Sequence, residues 1–270
     1  KNKNISILIS TGGYMSLPVC LAAKILGIKI FLIEPNMVLG RSNKFFLNFS
    51  RKLICYSENL INLPPGINHK LTIIKPLIRK EYYKPSTYLK KKDIFTIAII
   101  GGSQSAKIFD KLLNKSIVNI AKQVSLKIIH QTSKNNINFL RNFYSQNNIE
   151  SKVFSFDHNL NEILKQADLC ITRAGASSLA ELSFLNIPFV AIPLPSSKDN
   201  HQYENAKYYK EQDSCWIIDQ KNFDDQKFDK FLLELIKKSQ DCMTKKNNLQ
   251  KLNYQNTWNN VNQKILEIIN

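Results

Sequence analysis

The apolar residues of this chain fall into short runs that alternate with segments of helical spacing. The short runs predict buried strands at 5–10, 29–33, 53–56, 95–100, 127–131, 152–156, 169–172, 189–192 and 215–218. Helical spacing predicts helices between the strands, such as Leu17 to Leu26 and Leu160 to Gln166, and a helical end from Asp225 onward. Strands that alternate with helices are typical of a parallel sheet covered on both faces, so the sequence predicts an α/β fold.

The helical and strand periodicity is lost in a polar, basic stretch before the strand at 95–100. That stretch contains Pro76, Pro85 and three consecutive lysines at 90–92, a composition typical of a linker. We therefore predict a first domain at 1–80, a linker at 81–93, a second domain at 94–255, and a C-terminal helix at 256–270 that crosses back to the first domain. Because the chain enters a strand almost at once, we expect the sequence to begin inside its first domain.

Two of the predicted strands end in glycine loops. Gly12, Gly13 and Tyr14 follow the first strand, and 101–105 follows the strand at 95–100. Glycines let the backbone approach a ligand, and the following helix directs free N–H groups and its positive dipole end towards an anion. Neither loop has the G-K-[ST] of a P-loop or a full G-x-G-x-x-G. The sequence predicts generic phosphate cradles, with a plain tight turn as the alternative for the first loop.

The segment from Asp168 to Ala206 contains two strands whose carboxyl ends open into polar loops. Ligands bind at the carboxyl ends of strands in parallel sheets, so the loops after residues 172 and 192 are expected to form two sides of one pocket. The sequence Ser178-Leu179-Ala180-Glu181 has the spacing of a capping box, in which Glu181 would bond backbone amides. The alternative role for Glu181 is to accept two hydrogen bonds from a ribose diol.

Few residues suit ordinary catalytic chemistry. Glu34 ends the strand at 29–33, where a carboxylate is placed to act as a general base; the alternative is a solvated surface glutamate. The four histidines lack metal-ligand spacing, and no G-x-S-x-G indicates a hydrolase. The five cysteines are scattered and form no C-x-x-C, which indicates a reducing compartment. We predict no metal and no cofactor.

The net charge of +17 favours an anionic partner. A lysine-rich composition bias is the alternative, and no nucleic-acid recognition motif accompanies the charge. Basic and aromatic residues share one predicted short helix at 41–52, a combination typical of a membrane interface; core phenylalanines with snorkelling lysines are the alternative. The predicted contacts with an anionic membrane surface are Lys44, Phe45, Phe46, Phe49, Arg51 and Lys52. No apolar run reaches the length needed to span a bilayer.

Several motifs resemble those of the MurG family, in the same order along nearly the whole chain. They are GGYMSLP (12–18), Glu34-Pro35-Asn36, GGSQSAK (101–107), HQTSK (130–134), ITRAGASSLAEL (171–182) and KDNHQYENA (198–206). The resemblance implies a GT-B fold, in which two Rossmann-like domains face each other across a cleft, with the first domain incomplete. It also implies a peripheral enzyme at the cytoplasmic face of the bacterial inner membrane.

The activity implied by this resemblance is inverting glycosyl transfer in peptidoglycan synthesis. N-acetylglucosamine would pass from UDP-GlcNAc to the C4 hydroxyl of undecaprenyl-linked lipid I, giving lipid II. The alternatives are another GT-B transferase that uses a UDP-sugar, and a UDP-sugar-binding remnant without turnover.

The resemblance also implies roles for individual residues. Ser103 would contact the diphosphate, Asp157 the uracil and Glu181 the ribose, while Gln202 would lie near the sugar. The full set implied for the donor is Asn36, Arg79, Ser103, Asp157, Ala176, Ser177, Ser178, Leu179, Ala180, Glu181 and Gln202. Gly12, Gly13 and Tyr14 would form the acceptor loop, and Glu34 would be the base. The chain departs from the family pattern at Asp157, where the family has an apolar residue, and at His201, where it has a glutamine. The family's first glycine-rich loop, with a histidine proposed to act in catalysis, corresponds to positions before Lys1.

Overall fold

The computed structural model describes residues 5–84, 94–101 and 108–270. Within these residues the strands form two sheets, and every strand pairing is parallel, as predicted. The first sheet has the order β1-β2-β3-β4, with β1 Ile7–Ser10, β2 Lys29–Glu34, β3 Ser50–Cys55 and β4 Leu71–Ile73. The second has the order β10-β9-β8-β5-β6-β7, with β5 Phe95–Ile100, β6 Leu126–Gln131, β7 Glu150–Phe154, β8 Leu169–Thr172, β9 Phe189–Ala191 and β10 Cys215–Ile217.

Helices connect the strands in both sheets. In the first domain they are α1 Ser16–Ile25 and α2 Arg41–Phe46. In the remainder they are α3 Asn114–Ala121, α4 Ile137–Gln146, α5 Leu160–Leu164, α6 Ala176–Phe184, α7 His201–Glu211, α8 Asp225–Lys237, α9 Ser239–Leu252 and α10 Trp258–Ile269. No helix in the described ranges has both the length and the apolar character needed to cross a bilayer.

The second sheet is buried on both faces because its central strands are continuous apolar runs. In β5, Ile97 and Ile99 belong to the core on one face, whereas Ala98 and Ile100 belong to the core on the other. Successive side chains of a strand point to opposite faces, so a run such as FTIAII supplies both cores. This explains why the strands were visible as uninterrupted apolar runs.

The strand order of the second sheet reverses beside β5. The chain proceeds outward from β5 to β6 and β7, then returns to the other side of β5 and continues outward through β8, β9 and β10. Ligands of open parallel sheets bind outside the carboxyl ends of the strands at such a reversal. We therefore expect a ligand to bind near the loops that begin at Gly101, after β5, and at Arg173, after β8.

The C-terminal helix α10 packs on the first domain. Its side chains Ile265 and Ile268 contact a small core cluster of Ile33, Ile54 and Ile74. The last helix thus lies against residues of β2 and β3, although it follows the second sheet in sequence. The exact domain boundaries stay a prediction, and 85–93 of the proposed linker lies outside the described residues.

The segment at 41–52 differs from the single helix that the sequence analysis predicted. Helix α2 ends at Phe46, a 3-10 turn covers Leu47–Phe49, and Arg51 and Lys52 belong to β3. The ammonium group of Lys70 donates to the carbonyl oxygens of residues 47, 48 and 50 at 2.9 to 3.0 Å. This distant lysine thus bonds carbonyl oxygens of the 3-10 turn and of the first residue of β3, and so stabilises the non-helical path of the chain after Phe46.

Candidate active site

A cleft of about 380 Å³ lies between the two domains. Its first-domain wall includes Gly13, Tyr14, Glu34, Asn36 and Arg41, and its second-domain wall consists of Lys198, Asp199 and His201. We call this space the interdomain cleft. It brings predicted acceptor-loop residues and Glu34 and Asn36 together with the loop before α7.

The glycine loop after β1 requires its glycines. Gly12 and Gly13 have φ values of +76° and +83°, a region that side chains other than glycine rarely adopt. A Cβ atom on Gly12 would also lie 3.0 Å from side-chain atoms of Asn43. The loop consequently presents Tyr14, whose relative exposure is 84%, at the mouth of the interdomain cleft.

Glu34 is held by hydrogen bonds on both carboxylate oxygens. Oε1 accepts from the backbone N and Nδ2 of Asn36 at 3.1 and 3.0 Å, and Oε2 accepts from Gly40 N at 2.8 Å and Asn43 Nδ2 at 2.9 Å. The residue is only 2% exposed. A base must have a lone pair free to reach the substrate proton. The geometry therefore favours a role for Glu34 in shaping the 34–43 loop over its predicted role as the base.

Asn205 connects the two domains at the bottom of this site. Its Oδ1 accepts from Met37 N at 2.8 Å, and its Nδ2 donates to Asn36 Oδ1 and to Ala174 O, both at 3.1 Å. Asn205 is 2% exposed, and all of these bonds link segments far apart in sequence. Asn36 is thus fixed by Glu34 on one side and by Asn205 on the other.

Glu181 lies in a second polar cluster between the domains. Arg79 donates to it from Nε to Oε1 at 2.9 Å and from Nη2 to Oε2 at 3.1 Å, and Tyr82 donates its hydroxyl to Oε2 at 2.7 Å. Burial and the neighbouring Glu181 carboxylate raise the pKa of Tyr82, so the phenol stays a donor. The structure brings Arg79 and Glu181, both predicted donor-site residues, into direct contact.

The capping box, one of the two alternatives for 178–181, does not form. Helix α6 already begins at Ala176, after Gly175, and Gly175 receives no side-chain cap. Ser178 is inside the first turn, and the Glu181 carboxylate bonds Arg79 and Tyr82 instead of backbone amides. Arg79, which is 102 positions earlier in the chain, thus bonds the carboxylate that a capping box would direct to local backbone amides.

The other predicted donor residues occupy different environments. Ala176, Ser177 and Ser178 form the first turn of α6, whereas the side chains of Leu179 and Ala180 pack in core clusters and leave only backbone for a ligand. Gln202 accepts from Leu194 N at 2.9 Å and thereby closes the 194–202 loop. Asp157 accepts from Asn159 N at 2.8 Å in the turn after β7, the edge strand. Ser103 and the rest of 102–107 lie outside the described residues.

Comparison with known proteins agrees with this architecture. Residues 96–260 match the glycosyltransferase family 28 C-terminal domain, and residues 1–54 match the glycosyltransferase family 28 N-terminal domain. A Pelagibacter ubique protein, named UDP-N-acetylglucosamine--N-acetylmuramyl-(pentapeptide) pyrophosphoryl-undecaprenol N-acetylglucosamine transferase, is 48% identical over 270 residues, which is 100% of this chain and 76% of that protein. This chain belongs to glycosyltransferase family 28. The predicted membership of its MurG group is confirmed.

A further relative carries the same name, and two solved structures share the fold. A Rickettsia canadensis protein with the same name is 35% identical over 236 residues, covering 86% of this chain and 67% of that protein. The crystal structure of Acinetobacter baumannii MurG has a TM-score of 0.77 at 24% identity and covers 98% of this chain and 74% of its own. Anabaena Alr3699/HepE in complex with UDP has a TM-score of 0.64 at 12% identity, covering 97% of this chain and 78% of its own. The predicted α/β fold of GT-B type is confirmed.

Sequence reasoning missed the role of Arg173 in this family 28 chain. The guanidinium is 5% exposed and donates to Ile192 O at 2.9 Å, Pro193 O at 3.2 Å and Gln220 Oε1 at 2.7 Å. Burial lowers its pKa, and no carboxylate pairs with it among the described residues. Arg173 therefore supplies a buried positive charge where β8 and β9 end. Its position in the RAG motif was visible, but its partners were not.

A second missed cluster surrounds Asp110. Its Oδ2 accepts from Thr132 Oγ1 at 2.7 Å and Asn136 Nδ2 at 2.6 Å, while its Oδ1 lies 3.3 Å from His130 Nε2. Burial alone would raise the pKa of Asp110, but the hydrogen bonds from His130, Thr132 and Asn136 lower it below its ordinary value. The cluster fastens the helical turn at 108–112 to the end of β6. It gives His130 and Thr132 of the HQTSK motif a structural role.

Proposed function

We propose that this chain transfers N-acetylglucosamine from UDP-GlcNAc to the C4 hydroxyl of undecaprenyl-pyrophosphoryl-MurNAc-pentapeptide, with inversion at the anomeric carbon. The observation that carries the proposal is the 48% identity across the whole chain with a relative named for this transfer. The interdomain cleft supports it, because transfer requires one space that both substrates reach.

The second domain would bind the donor. The reversal of strand order at β5 and β8 and the first turn of α6 present backbone N–H groups at one edge of the sheet. Negative charge grows on the diphosphate as the sugar leaves, so fixed dipoles there stabilise the transition state more than the ground state. The buried guanidinium of Arg173 adds positive potential at the same edge. Ser103, Asp157 and Gln202 remain proposed contacts of the diphosphate, the uracil and the sugar.

Glu181 would accept the ribose hydroxyls. Glu181 is a residue of α6, and its carboxylate is oriented by Arg79 and Tyr82. A ribose diol would share or replace these donors, since an ionised carboxylate offers about four lone-pair sites. Arg79 would thus belong to the donor site through its contact with Glu181.

The acceptor would enter the interdomain cleft from the first domain. Gly12, Gly13 and Tyr14 border the cleft, and Asn36 is the amide held in place at its floor. The lipid part of the acceptor requires a membrane nearby, which supports a peripheral association with a membrane. The cytoplasmic face of the bacterial inner membrane is the location that we propose.

A surface for that membrane would lie on α2, the 3-10 turn at Leu47–Phe49 and the start of β3. Phe45 is 65% and Phe49 46% exposed, and Lys44 and Arg51 are exposed beside them. Phe46 does not belong to this surface, contrary to the sequence prediction, because it is 1% exposed in the first-domain core. Lys52 donates to His69 O at 3.2 Å, so it is partly engaged. Amphipathic surfaces with cations and phenylalanine bind anionic interfaces.

The direct test is a transfer assay with a lipid I analogue and a panel of UDP-sugars. Release of UDP together with a product heavier by one N-acetylhexosamine is the expected result, with UDP-GlcNAc preferred. Turnover with a different UDP-sugar, or binding of UDP-GlcNAc without product, would overturn the proposal.

A further inference from the structure

A cavity of about 470 Å³ lies between the two domains and is separate from the interdomain cleft. The first domain contributes Tyr56 and 73–76 to its wall, and the second contributes Tyr208. The remaining wall comes from the end of α9 and from α10, including Leu252 and Lys264. We call this space the α10 cavity. Its size and its position at a domain interface are those of a small-molecule site, and none of its residues lines the interdomain cleft.

The charged groups of the α10 cavity are both cations. Among the described residues that line it, Lys75 and Lys264 carry a positive charge and none is an aspartate or a glutamate. Lys75 donates one of its three N–H groups to Leu252 O at 2.8 Å. Lys264 Nζ lies 3.5 Å from Glu267 Oε2 with both side chains 53% exposed, so this ion pair is weak. Both ammonium groups therefore keep donors for a further anion.

Two half-buried tyrosines add hydroxyl groups to the same cavity. The hydroxyl of Tyr56 accepts from Leu77 N at 3.1 Å, which leaves its own proton to donate. Neither an acceptor for this proton nor a partner for the Tyr208 hydroxyl is found within the described ranges. Burial raises the pKa of both phenols, so they stay protonated at neutral pH. A ligand rich in hydrogen-bond acceptors suits these two donors.

Much of the remaining wall of the α10 cavity is apolar. It includes Ile73, Ile74, Pro76, Leu252 and Val261, of which Ile74 and Val261 are 6% and 5% exposed. An apolar wall favours a ligand with a body that removes this surface from water. A small hydrated ion such as inorganic phosphate would leave most of this wall uncovered.

We propose that the α10 cavity binds a small amphiphilic anion, that is, a carboxylate or a phosphate ester joined to an apolar body. The anionic group is bound by Lys75 and Lys264 and accepts from the tyrosine hydroxyls, and the apolar body covers the wall that includes Ile73 and Val261. The site is independent of the transfer reaction, because it shares no residue with the interdomain cleft. A ligand in this position contacts the first domain, the second domain and α10 together.

Calorimetric titration with naphthyl phosphate tests this site. Saturating UDP-GlcNAc is present, so that binding of the probe's phosphate at the donor site is excluded. Two further probes separate the two features of the ligand, because naphthol lacks the anionic group and inorganic phosphate lacks the apolar body. We expect saturable binding of one naphthyl phosphate per chain, and binding of each of the other two probes that is weaker by about tenfold or more.

Paired lysine substitutions locate the bound probe. Lys75→Gln with Lys264→Gln should lower the affinity for naphthyl phosphate by about tenfold or more, because hydrogen bonds to charged groups are lost. Lys122→Gln with Lys238→Gln is the control, since it changes the net charge equally at exposed positions that do not line the α10 cavity. Tyr208→Phe keeps the ring and removes one donor, so it should lower the affinity by about threefold to tenfold.

Four results would overturn the inference. They are the absence of saturable heat with naphthyl phosphate, binding that saturating UDP-GlcNAc abolishes, an equal loss of affinity in the two double-lysine variants, and equal affinity for naphthyl phosphate and either of the other probes. None of these results depends on transfer. A protein that binds naphthyl phosphate as expected but transfers no sugar would overturn the proposed function and leave this inference intact.

Discussion

Arg79 and Glu181 form a two-point ion pair across the domains, with N–O distances of 2.9 and 3.1 Å. The Arg79 side chain is 48% exposed, so the pair contributes little to stability. The ion pair holds the carboxylate of Glu181, a residue of α6, in one orientation. A pre-oriented acceptor binds a diol without a further entropic cost.

Glu181→Ala should weaken UDP binding by about tenfold to a hundredfold, because hydrogen bonds to a charged group contribute about 1.5–3 kcal/mol. Tyr82→Phe is the matched control, since it removes one hydroxyl and leaves the Arg79 pair in place. Calorimetric titration with UDP measures both. An unchanged affinity in Glu181→Ala would contradict the ribose role.

Glu34→Gln should lower the free energy of unfolding by about 1–3 kcal/mol. The carboxylate accepts four hydrogen bonds, and an amide would turn an NH₂ group towards one pair of these donors. Gly40→Ala tests the same contact independently, because its Cβ would lie 3.1 Å from Glu34 Oε2. Denaturant unfolding is the measurement. A Glu34→Gln protein with wild-type stability and lost turnover would instead support Glu34 as the base.

Asn205→Ala should destabilise the protein and raise KM for the acceptor. The substitution leaves Met37 N and Ala174 O without their partner, and each buried unsatisfied group costs about 1–3 kcal/mol. Asn248→Ala is the control, because Asn248 bonds Asp213 at the exposed surface. The measurements are the unfolding midpoint and the KM for the acceptor of each variant, compared with those of the wild type. Equal effects of the two substitutions would refute a special role for Asn205.

The Asp110 cluster should make stability fall at acidic pH. The folded-state pKa of Asp110 is lowered, so its contribution is fully present above the unfolded value of about 3.9 and is lost as pH falls through the folded value. Asp110→Asn should therefore have a lower free energy of unfolding than wild type at pH 7. The difference between the two proteins should become smaller towards pH 3. Chemical unfolding at several pH values gives this difference. If the difference in the free energy of unfolding between wild type and Asp110→Asn stayed the same from pH 7 to pH 3, folding would not favour the ionised form of Asp110.

Reversing Lys44 and Arg51 to glutamate should reduce binding to vesicles containing anionic lipid, by about 1 kcal/mol for each removed cation. Lys122→Glu with Lys238→Glu changes the net charge equally at exposed positions on the second domain. Sedimentation with anionic and neutral vesicles measures how much of each double variant binds. It distinguishes the loss of this particular surface from the effect of a lower net charge. Equal loss in both double variants would refute a dedicated surface.

Most strands and the parallel topology were predictable because apolar runs such as FTIAII are visible without tertiary information. The short strand β4 Leu71–Ile73 was not predicted. The family was predictable because its motifs keep their order. The polar contacts were not: Glu34 with Gly40, Asn36 with Asn205 and Glu181 with Arg79 depend on where loops and domains meet. The capping-box alternative failed because α6 begins at Ala176, which puts Ser178 inside the helix. The Glu181 carboxylate bonds Arg79, 102 positions away, instead. The turn that follows α2 was missed because Lys70, from a later strand connection, bonds the carbonyl oxygens of Leu47 and Asn48 in that turn.

The return of α10 to the first domain means that the polypeptide joins the two halves at two places. A single tether would allow the halves to rotate freely, whereas two tethers restrict them to swinging about the line between the crossings. Ile265 and Ile268 thus form a second connection between the halves. Any opening of the interdomain cleft that keeps this contact is restricted in its direction.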